Sequence, residues 1–405
     1  MPSTPPEGTP APADGSLPAK AGAEVGSRPL GFYLHVPYCT TRCGYCDFNT
    51  YTSAELGSAP GTGQDSYLAS VLAEIDLAGR VLGDAAPPVS TIFVGGGTPT
   101  LLPPESLATM ITAIRDRFGL LPGAEVTTES NPESIGPAGL DRLLEAGFTR
   151  ISFGMQSAVE HVLATLDRVH SPGRAAQAVA EARAAGFGSI SLDLIFGTPG
   201  ESLADWRTSL EAALVAEPDH VSAYALIVEQ GTRLATRIRR GELPMTDDDD
   251  LADKYLLTEE LLVGAGLSAY EISNWARSPE HRCRHNVAYW TGDHWWGIGP
   301  GAHSHVGGVR WWNVRHPAAY ADRLAAGASP AQARELLDDH DRRVERVLLE
   351  LRLAEGLAVE LLTDTERARL PDLVKRELIL IDDDRLVLTL RGRLLADGVI
   401  RDLLD

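Results

Sequence analysis

The sequence has few cysteines, no excess of positive charge and no long apolar run. Three of its four cysteines lie within eight positions, which does not resemble a disulfide framework and indicates thiols kept reduced in a cytoplasm. The formal net charge of −20 argues against a broad basic face for nucleic acid. No apolar run approaches the roughly 18 residues of a membrane span, and no basic start precedes an apolar stretch, so we expect neither a membrane helix nor a secretory signal.

The chain divides into four regions by composition. Residues 1–28 are rich in proline, alanine, glycine and serine, so they bury too little surface to offset their ordering entropy, and we expect a disordered tail. A core follows over 29–265, and a connecting region rich in tryptophan and histidine spans 266–315. The remaining residues, 316–405, predict helices and a short hairpin, which together favour a small winged-helix-like domain.

Short apolar runs alternate with amphipathic helical segments through the predicted core. The runs cover 31–36, 91–97, 125–130, 150–156, 189–197 and 220–228. Strand–helix alternation predicts parallel strands joined by helical crossovers, either in an open doubly wound sheet or in a barrel of β/α units. Six units favour a partial barrel, and a seventh run over 269–276 either closes or flanks the sheet.

The three clustered cysteines form a C-x3-C-x2-C pattern. Cys39, Cys43 and Cys46 supply three thiols, one fewer than a closed tetrahedral site needs. A zinc site completed by Asp47 or His35 and a set of inert thiols are two interpretations. The third, which we favour, is a [4Fe–4S] cluster with one iron left open to a ligand from outside the protein.

Polar and glycine residues stand at or near the ends of several predicted strands. Gly95–Thr98 end the second run, and Glu129, Gln156 and Asp193 lie at or near the ends of the next three. Taken singly, a tight turn or a hydrogen-bonded core group explains each. Because carboxyl ends of barrel strands meet at one face, their shared placement predicts a ligand site beside the cysteines.

These motifs resemble those of radical S-adenosylmethionine (SAM) enzymes, in which SAM chelates the open iron. More narrowly, YLHVPYCTTRCGYCDF, GGGTPT, ESNPE, SFGMQS, LDRVHS and DLIFGTPGES, in that order, resemble the oxygen-independent coproporphyrinogen III oxidase family. The resemblance implies an α/β fold, a partial (β/α)6 TIM-like barrel, with a [4Fe–4S] cluster on the three cysteines. It also implies SAM-binding residues, namely Tyr33, Phe48, Gly96, Gly97, Thr98, Glu129, Gln156, Arg168 and Asp193.

The sequence departs from the oxidase pattern at one position. Where the oxidases have a fourth cysteine, this chain has Phe48. A sister branch of heme chaperones also lacks that cysteine and carries an H-N-x-x-Y-W motif, which is present here as His285, Asn286, Tyr289 and Trp290. Six of the seven tryptophans fall between positions 275 and 312, so a packed aromatic seam is the alternative interpretation. Cys283 ranks below His285 as an iron ligand, because it lacks the Cys-Pro heme pattern.

The resemblance implies a heme chaperone that binds heme and transfers it to an acceptor protein, and a membrane respiratory enzyme is one candidate acceptor. Its cofactors are a [4Fe–4S] cluster, exchangeable SAM and heme. The alternative is an oxygen-independent coproporphyrinogen III oxidase that performs radical SAM oxidative decarboxylation, and a structural metal protein is a third. We expect no nucleic-acid partner, and the sequence leaves the oligomeric state open.

Overall fold

The computed structural model describes residues 7–168, 171 and 173–404. Their strands form one sheet of thirteen and another of three. The strands are β1 (Thr9–Pro10), β2 (Leu30–Val36), β3 (Val89–Gly96), β4 (Leu120–Ser130), β5 (Arg150–Gln156), β6 (Ser189–Phe196), β7 (His220–Ala225), β8 (Ser268–Ala269), β9 (Asn274–Ala276), β10 (His294–Ile298), β11 (His303–Val306), β12 (Val309–Asn313), β13 (Ala331–Leu336), β14 (Leu357–Ala358), β15 (Ile379–Asp382) and β16 (Arg385–Leu388).

Helices connect the strands and cover the sheet. They are α1 (Ala19–Glu24), α2 (Ser53–Leu56), α3 (Gln64–Leu82), α4 (Pro104–Phe118), α5 (Pro137–Glu145), α6 (Glu160–Thr165), α7 (Arg174–Ala185), α8 (Leu203–Val215), α9 (Arg233–Arg239), α10 (Asp248–Gly264), α11 (Arg284–Thr291), α12 (Pro317–Ala325), α13 (Asp339–Glu350), α14 (Asp364–Arg367), α15 (Leu370–Lys375), α16 (Leu390–Leu394) and α17 (Ala396–Leu404). Among these helices of the described residues, none is long and apolar enough to cross a membrane.

The large sheet contains the predicted partial barrel. Strands β2 to β7 lie side by side in sequence order, and each pairs in parallel with the next. Because parallel strands are covered by helices on one face and enclose the barrel interior on the other, they carry nearly continuous apolar runs. Phe32, Leu34 and Val36 of β2 are fully buried. The prediction of an α/β partial barrel is therefore confirmed.

The sheet continues beyond the six units on both sides. Strand β10 adds in parallel to β2, and β11, β12, β13 and β1 follow in antiparallel order. On the other side, β9 pairs antiparallel with β7 and is followed by β8. The seventh apolar run therefore flanks the sheet instead of closing the barrel.

The prediction of a disordered tail over 1–28 is corrected for residues 7–28, since residues 1–6 lie outside the described residues. Strand β1 pairs with β13, Val25 is 1% exposed within the main core, and the carboxylate of Glu24 bonds the guanidinium of Arg342 at 2.7 Å. The segment has few apolar residues of its own. It is ordered because it lies against surfaces that distant parts of the chain provide.

The C-terminal domain begins later than the predicted residue 316. Helix α12 and strand β13 instead pack with the barrel and its sheet, since the Tyr320 hydroxyl donates to the buried Glu74 of α3 and β13 pairs with β12. A separate core begins with Val347 of α13 and includes the three-stranded wing. Helix α13 ends at Glu350, and β14 adds a third strand to the predicted hairpin.

Candidate functional site

A cavity of about 900 Å3 occupies the barrel interior. We call the end at the carboxyl termini of the strands the mouth, and the opposite end the floor. Of the residues that the family resemblance assigns to the cluster, SAM or heme, all except Trp290 line this one cavity, and Trp290 is half-buried elsewhere. Gly95, which was predicted beside them, does not line it. The lining members are Tyr33, Cys39, Cys43, Cys46, Phe48, Gly96, Gly97, Thr98, Glu129, Gln156, Arg168, Asp193, His285, Asn286 and Tyr289.

The cysteine loop follows β2 and lies at the mouth. Backbone hydrogen bonds hold it, from Cys39 N to the Tyr51 carbonyl at 3.0 Å and from Gly44 N to the Leu166 carbonyl at 3.0 Å. The carbonyl of Gly44 in turn accepts the Leu234 N–H at 2.8 Å. The loop is therefore pinned to the segment before Arg168 and to the start of α9.

The donor set of this loop fits an iron–sulfur cluster. Its three half-buried thiols line one cavity end, and the guanidinium of Arg168 lies 3.6 Å from the Cys43 sulfur. Among the described residues, no three His, Cys, Asp or Glu side chains are placed to hold a single metal ion. A [4Fe–4S] cluster distributes its thiolates over separate irons. Burial raises the pKa of Cys46 to about 11, so metal loading releases protons.

The glycine turn after β3 lies directly against the cysteine loop. Gly97 N donates to the Val36 carbonyl at 2.8 Å. A β-carbon at position 97 would lie 2.3 Å from the Tyr38 carbonyl oxygen and 3.0 Å from the Cys39 sulfur. Gly96 has φ +112°, which a larger residue adopts only with strain. Glycine is therefore required here by both close approach and backbone conformation.

Glu129 provides a buried carboxylate beside that turn. Its Oε2 accepts the Gly96 N–H at 3.0 Å. Burial, together with the nearby Asp193 carboxylate, raises the pKa of Glu129 to about 8. A ligand that donates N–H groups into the cavity would favour the ionised form, because an ionised carboxylate only accepts hydrogen bonds. This fits an amino group such as that of SAM.

SAM binding is expected to tighten as the pH rises from about 6 to about 8. Below its pKa the Glu129 carboxyl is protonated, and ionising it for binding costs up to about 1.4 kcal/mol, or tenfold in affinity, per pH unit. Equilibrium dialysis of SAM against the anaerobically reconstituted protein measures this dependence. Glu129→Gln should show a shallower dependence, because the titration of this carboxyl is removed. Identical slopes for the two proteins would contradict the assignment.

The side chains of Gln156 and Arg168 both lie against Gly154. Gln156 has φ +65°, a left-handed conformation that is uncommon for non-glycine residues and concentrates at functional sites. The Arg168 guanidinium donates to the Gly154 carbonyl at 3.0 Å, and a β-carbon at 154 would lie 2.8 Å from Gln156 Nε2 and 3.0 Å from Arg168 Nη2. Two residues of the LDRVHS stretch, 169 and 170, lie outside the described residues.

A set of polar residues in the middle and lower cavity was not predicted from the sequence. They alternate along β5, β6 and β7 with apolar residues, so they share the interior face of the barrel. The hydroxyl of Ser152 donates to Asp193 at 2.8 and 2.9 Å. This alternation inside apolar runs was the available signal. The missed lining residues are Arg150, Ser152, Ser191, His220 and Ser222.

Helix α11 carries the whole H-N-x-x-Y-W motif and lies at the floor. His285 is 1% exposed, its Nδ1 lies 2.8 Å from Thr91 Oγ1, and its Nε2 lies 2.9 Å from the Tyr289 hydroxyl. Burial lowers the pKa of His285 to about 3, so the imidazole is neutral, the form that ligates metals. In this structure it is a fully hydrogen-bonded buried histidine.

The antiparallel strands β10, β11 and β12, which carry four of the tryptophans, pack as an aromatic seam. Trp296 and Trp311 meet edge to face with ring centroids 4.8 Å apart, and both belong to the main core. His303 stacks on Trp312 at 5.8 Å. The alternative interpretation, a packed aromatic seam, therefore holds for strands β10 to β12. His285, Asn286 and Tyr289, in contrast, line the cavity.

Comparison with known proteins agrees with this architecture. Residues 33–213 match the radical SAM superfamily. The chain is 54% identical over 382 residues to "Heme chaperone HemW" of Mycobacterium tuberculosis, covering 94% of this chain and 96% of that protein. It is 32% identical over 378 residues to the Bacillus subtilis protein of the same name, covering 91% and 97%.

A solved structure shares the whole fold. The coproporphyrinogen III oxidase HemN from Escherichia coli, described as a radical SAM enzyme, superposes with a TM-score of 0.81 at 23% identity. The match covers 95% of this chain and 92% of the oxidase. At that identity the likeness establishes the fold alone, whereas the sequence relatives define the family. The chain belongs to the radical SAM superfamily and, within it, to the HemW family.

Proposed function

We propose that this protein is a heme chaperone that binds heme and passes it to an acceptor protein. It carries a [4Fe–4S] cluster on Cys39, Cys43 and Cys46 and an exchangeable SAM. One observation carries the proposal: the cysteine loop and the H-N-x-x-Y segment line opposite ends of a single cavity. The names of the relatives, which match over nearly their whole lengths, support it.

We assign SAM to the mouth of the cavity, where the cluster, when bound, supplies an open iron for chelation. Glu129 accepts N–H groups of the ligand, and Arg168 places a positive charge near the thiolates and the ligand carboxylate. Phe48 is 48% exposed and lines the cavity, so it gives an apolar surface where a fourth thiol would otherwise stand. The remaining proposed SAM-binding residues are Tyr33, Gly96, Gly97, Thr98, Gln156 and Asp193.

We assign the heme to the H-N-x-x-Y-W segment, with His285 as the iron ligand. Its neutral ring suits this role, but Nε2 is free to bind iron only after the Tyr289 hydroxyl moves away. Asn286 and Trp290 complete the motif. Burial and the adjacent Glu125 raise the pKa of Cys283, which keeps it a neutral thiol and ranks it below His285.

We place the protein in the cytoplasm, because its thiols need a reducing compartment to assemble a cluster. We propose a heme-free subunit of a membrane respiratory enzyme as the acceptor. Such an acceptor must hold heme more tightly than the chaperone does, so that transfer is downhill.

Heme transfer tests the proposal. The reconstituted protein, loaded with hemin, should convert a heme-free cytochrome subunit to its holo form. His285→Ala should bind heme at least about tenfold more weakly, a loss of about 1.4 kcal/mol. His161→Ala is the matched control, since that histidine side chain is 57% exposed. Conversion of coproporphyrinogen III to protoporphyrinogen, with consumption of SAM under reducing conditions, would instead identify an oxidase.

A further inference from the structure

Four residues form a row across four neighbouring parallel strands, near the amino ends of three of them and in the middle of β4. Trp295 of β10 is in register with Gly31 of β2, Gly31 with Thr91 of β3, and Thr91 with Glu125 of β4. We call this row, Trp295, Gly31, Thr91 and Glu125, the seat, because α11 rests on it. Thr91 precedes Gly96 by five residues, so at about 3.3 Å per residue the seat lies about 16 Å from the glycine turn.

Glu125 fixes the start of α11. Its carboxylate accepts the Arg284 N–H at 2.8 Å and the His285 N–H at 3.2 Å, and the Cys283 sulfur lies 3.6 Å away. The first N–H groups of a helix have no partner within the helix, and its amino end favours negative charge. A side chain from a neighbouring strand therefore sets where His285 stands.

Thr91 and Gly31 fix the ring of His285. Thr91 is 3% exposed, and its hydroxyl lies 2.8 Å from Nδ1 of the imidazole. A β-carbon at position 31 would lie 2.7 Å from that hydroxyl and 3.3 Å from both Nδ1 and Cε1 of the ring. Gly31 therefore leaves the space in which the threonine and the histidine meet.

Trp295 supports the other side of the ring through Tyr289. The two aromatic rings meet edge to face at 4.7 Å, and the indole N–H of Trp295 donates to the His303 carbonyl at 3.0 Å. The Tyr289 hydroxyl lies 2.9 Å from Nε2 of His285. Each ring nitrogen of the histidine is thus assigned one hydroxyl partner.

The chemistry of these two hydroxyls selects a tautomer. The O–H bond of a phenol is more polar than that of an aliphatic alcohol, because the aromatic ring withdraws electron density from the oxygen, so the phenol is the stronger donor. Tyr289 therefore donates to the Nε2 lone pair, and Nδ1 carries the proton and donates to Thr91. Metal-binding histidines commonly donate their other N–H in this way, which fixes the tautomer and the ring orientation.

We propose that the seat positions His285 for iron, with Thr91 as the positioning residue that accepts the hydrogen bond from Nδ1–H and leaves Nε2 as the ligand atom. Tyr289 covers that atom until heme binds. This inference rests on the proposed heme-binding function. None of the four seat residues belongs to the H-N-x-x-Y-W motif, and the seat and the motif meet only because the sheet brings their strands together.

Substitution of Thr91 tests the proposal. Thr91→Val keeps the shape and removes the hydroxyl, while Thr91→Ser keeps the hydroxyl. In the hemin-loaded full-length protein, Thr91→Val should change the axial-ligand signature in the optical and electron paramagnetic resonance spectra. It should also release heme about 10- to 100-fold faster to apomyoglobin. Thr91→Ser should keep the wild-type spectra and the wild-type rate of heme release. Iron per chain and the melting temperature, measured in parallel, show that the variants are folded.

A second measurement does not depend on heme. In heme-free protein labelled with 15N-histidine, the His285 nitrogen signals, identified by their loss in His285→Ala, should report the Nδ1–H tautomer. Thr91→Val should shift them. Unchanged signals, or an Nε2–H tautomer in the wild type, would overturn the role of Thr91. Failure of the wild type to bind hemin would refute the proposed function while leaving the tautomer result to decide the seat.

Discussion

Replacing Cys43 with serine is expected to reduce the iron of the anaerobically reconstituted protein from about four atoms per chain to near zero. Cys43 supplies one of three thiols at the mouth, and its sulfur lies 3.6 Å from the Arg168 guanidinium. A cluster with one iron already open depends on all three protein ligands, so losing one leaves two. Iron and sulfide analysis, with the visible absorption spectrum, measures the effect.

Cys283→Ser is the matched control for this prediction. Cys283 is also a free cysteine, but it is 2% exposed and lies next to Glu125 at the floor. Its replacement should leave iron and sulfide at the wild-type level. If Cys43→Ser kept a full complement of iron, or if Cys283→Ser lost it, the three-cysteine assignment would be wrong.

Adding one methyl group at Gly97 is expected to weaken SAM binding while leaving the barrel folded. The new β-carbon would lie 2.3 Å from the Tyr38 carbonyl oxygen, a backbone atom that cannot move without the cysteine loop. Overpacking of this kind costs about 1–3 kcal/mol, equivalent to about a 5- to 150-fold loss of affinity if it falls on the bound state. Equilibrium dialysis of SAM against reconstituted Gly97→Ala measures it.

Gly136→Ala provides the comparison for the glycine. An added β-carbon there meets no atom within 4 Å among the described residues, so SAM affinity and iron content should match the wild type. The melting temperature of both variants separates a local effect at the loop from general destabilisation. Wild-type SAM affinity in Gly97→Ala would show that the close approach does not shape the ligand site.

The barrel strands were predictable because each buried parallel strand is visible in the sequence as a short apolar run. Strand β2 spans Leu30–Val36 and β5 spans Arg150–Gln156, against predictions of 31–36 and 150–156. Their apolar runs follow from burial on both faces. The cysteine and glycine motifs are also short, continuous stretches of sequence, and each follows a strand that could be predicted. Most of the predicted site residues therefore line the one cavity.

The other features of the fold and the site depend on contacts between residues far apart in the sequence, which no local pattern predicts. Strand β10 joins β2 although their paired residues, His294 and Leu30, stand far apart in sequence. Glu24 and Arg342 form their ion pair across the chain, which explains why the tail composition was misleading. Thr91 and Glu125 are polar residues at the starts of apolar runs, a visible signal whose meaning required the register between strands.

Both outer edges of the thirteen-stranded sheet end in very short strands. The terminal strands, β1 and β8, are only two residues long, and β1 includes Pro10, which has no N–H to donate. An open sheet with long bare edges invites strand addition from a second molecule, and short or proline-containing edges prevent it. We therefore expect that removing the amino-terminal segment would expose the backbone of β13 at Ala333 and Arg334, where β1 now pairs, and would favour pairing with a second molecule.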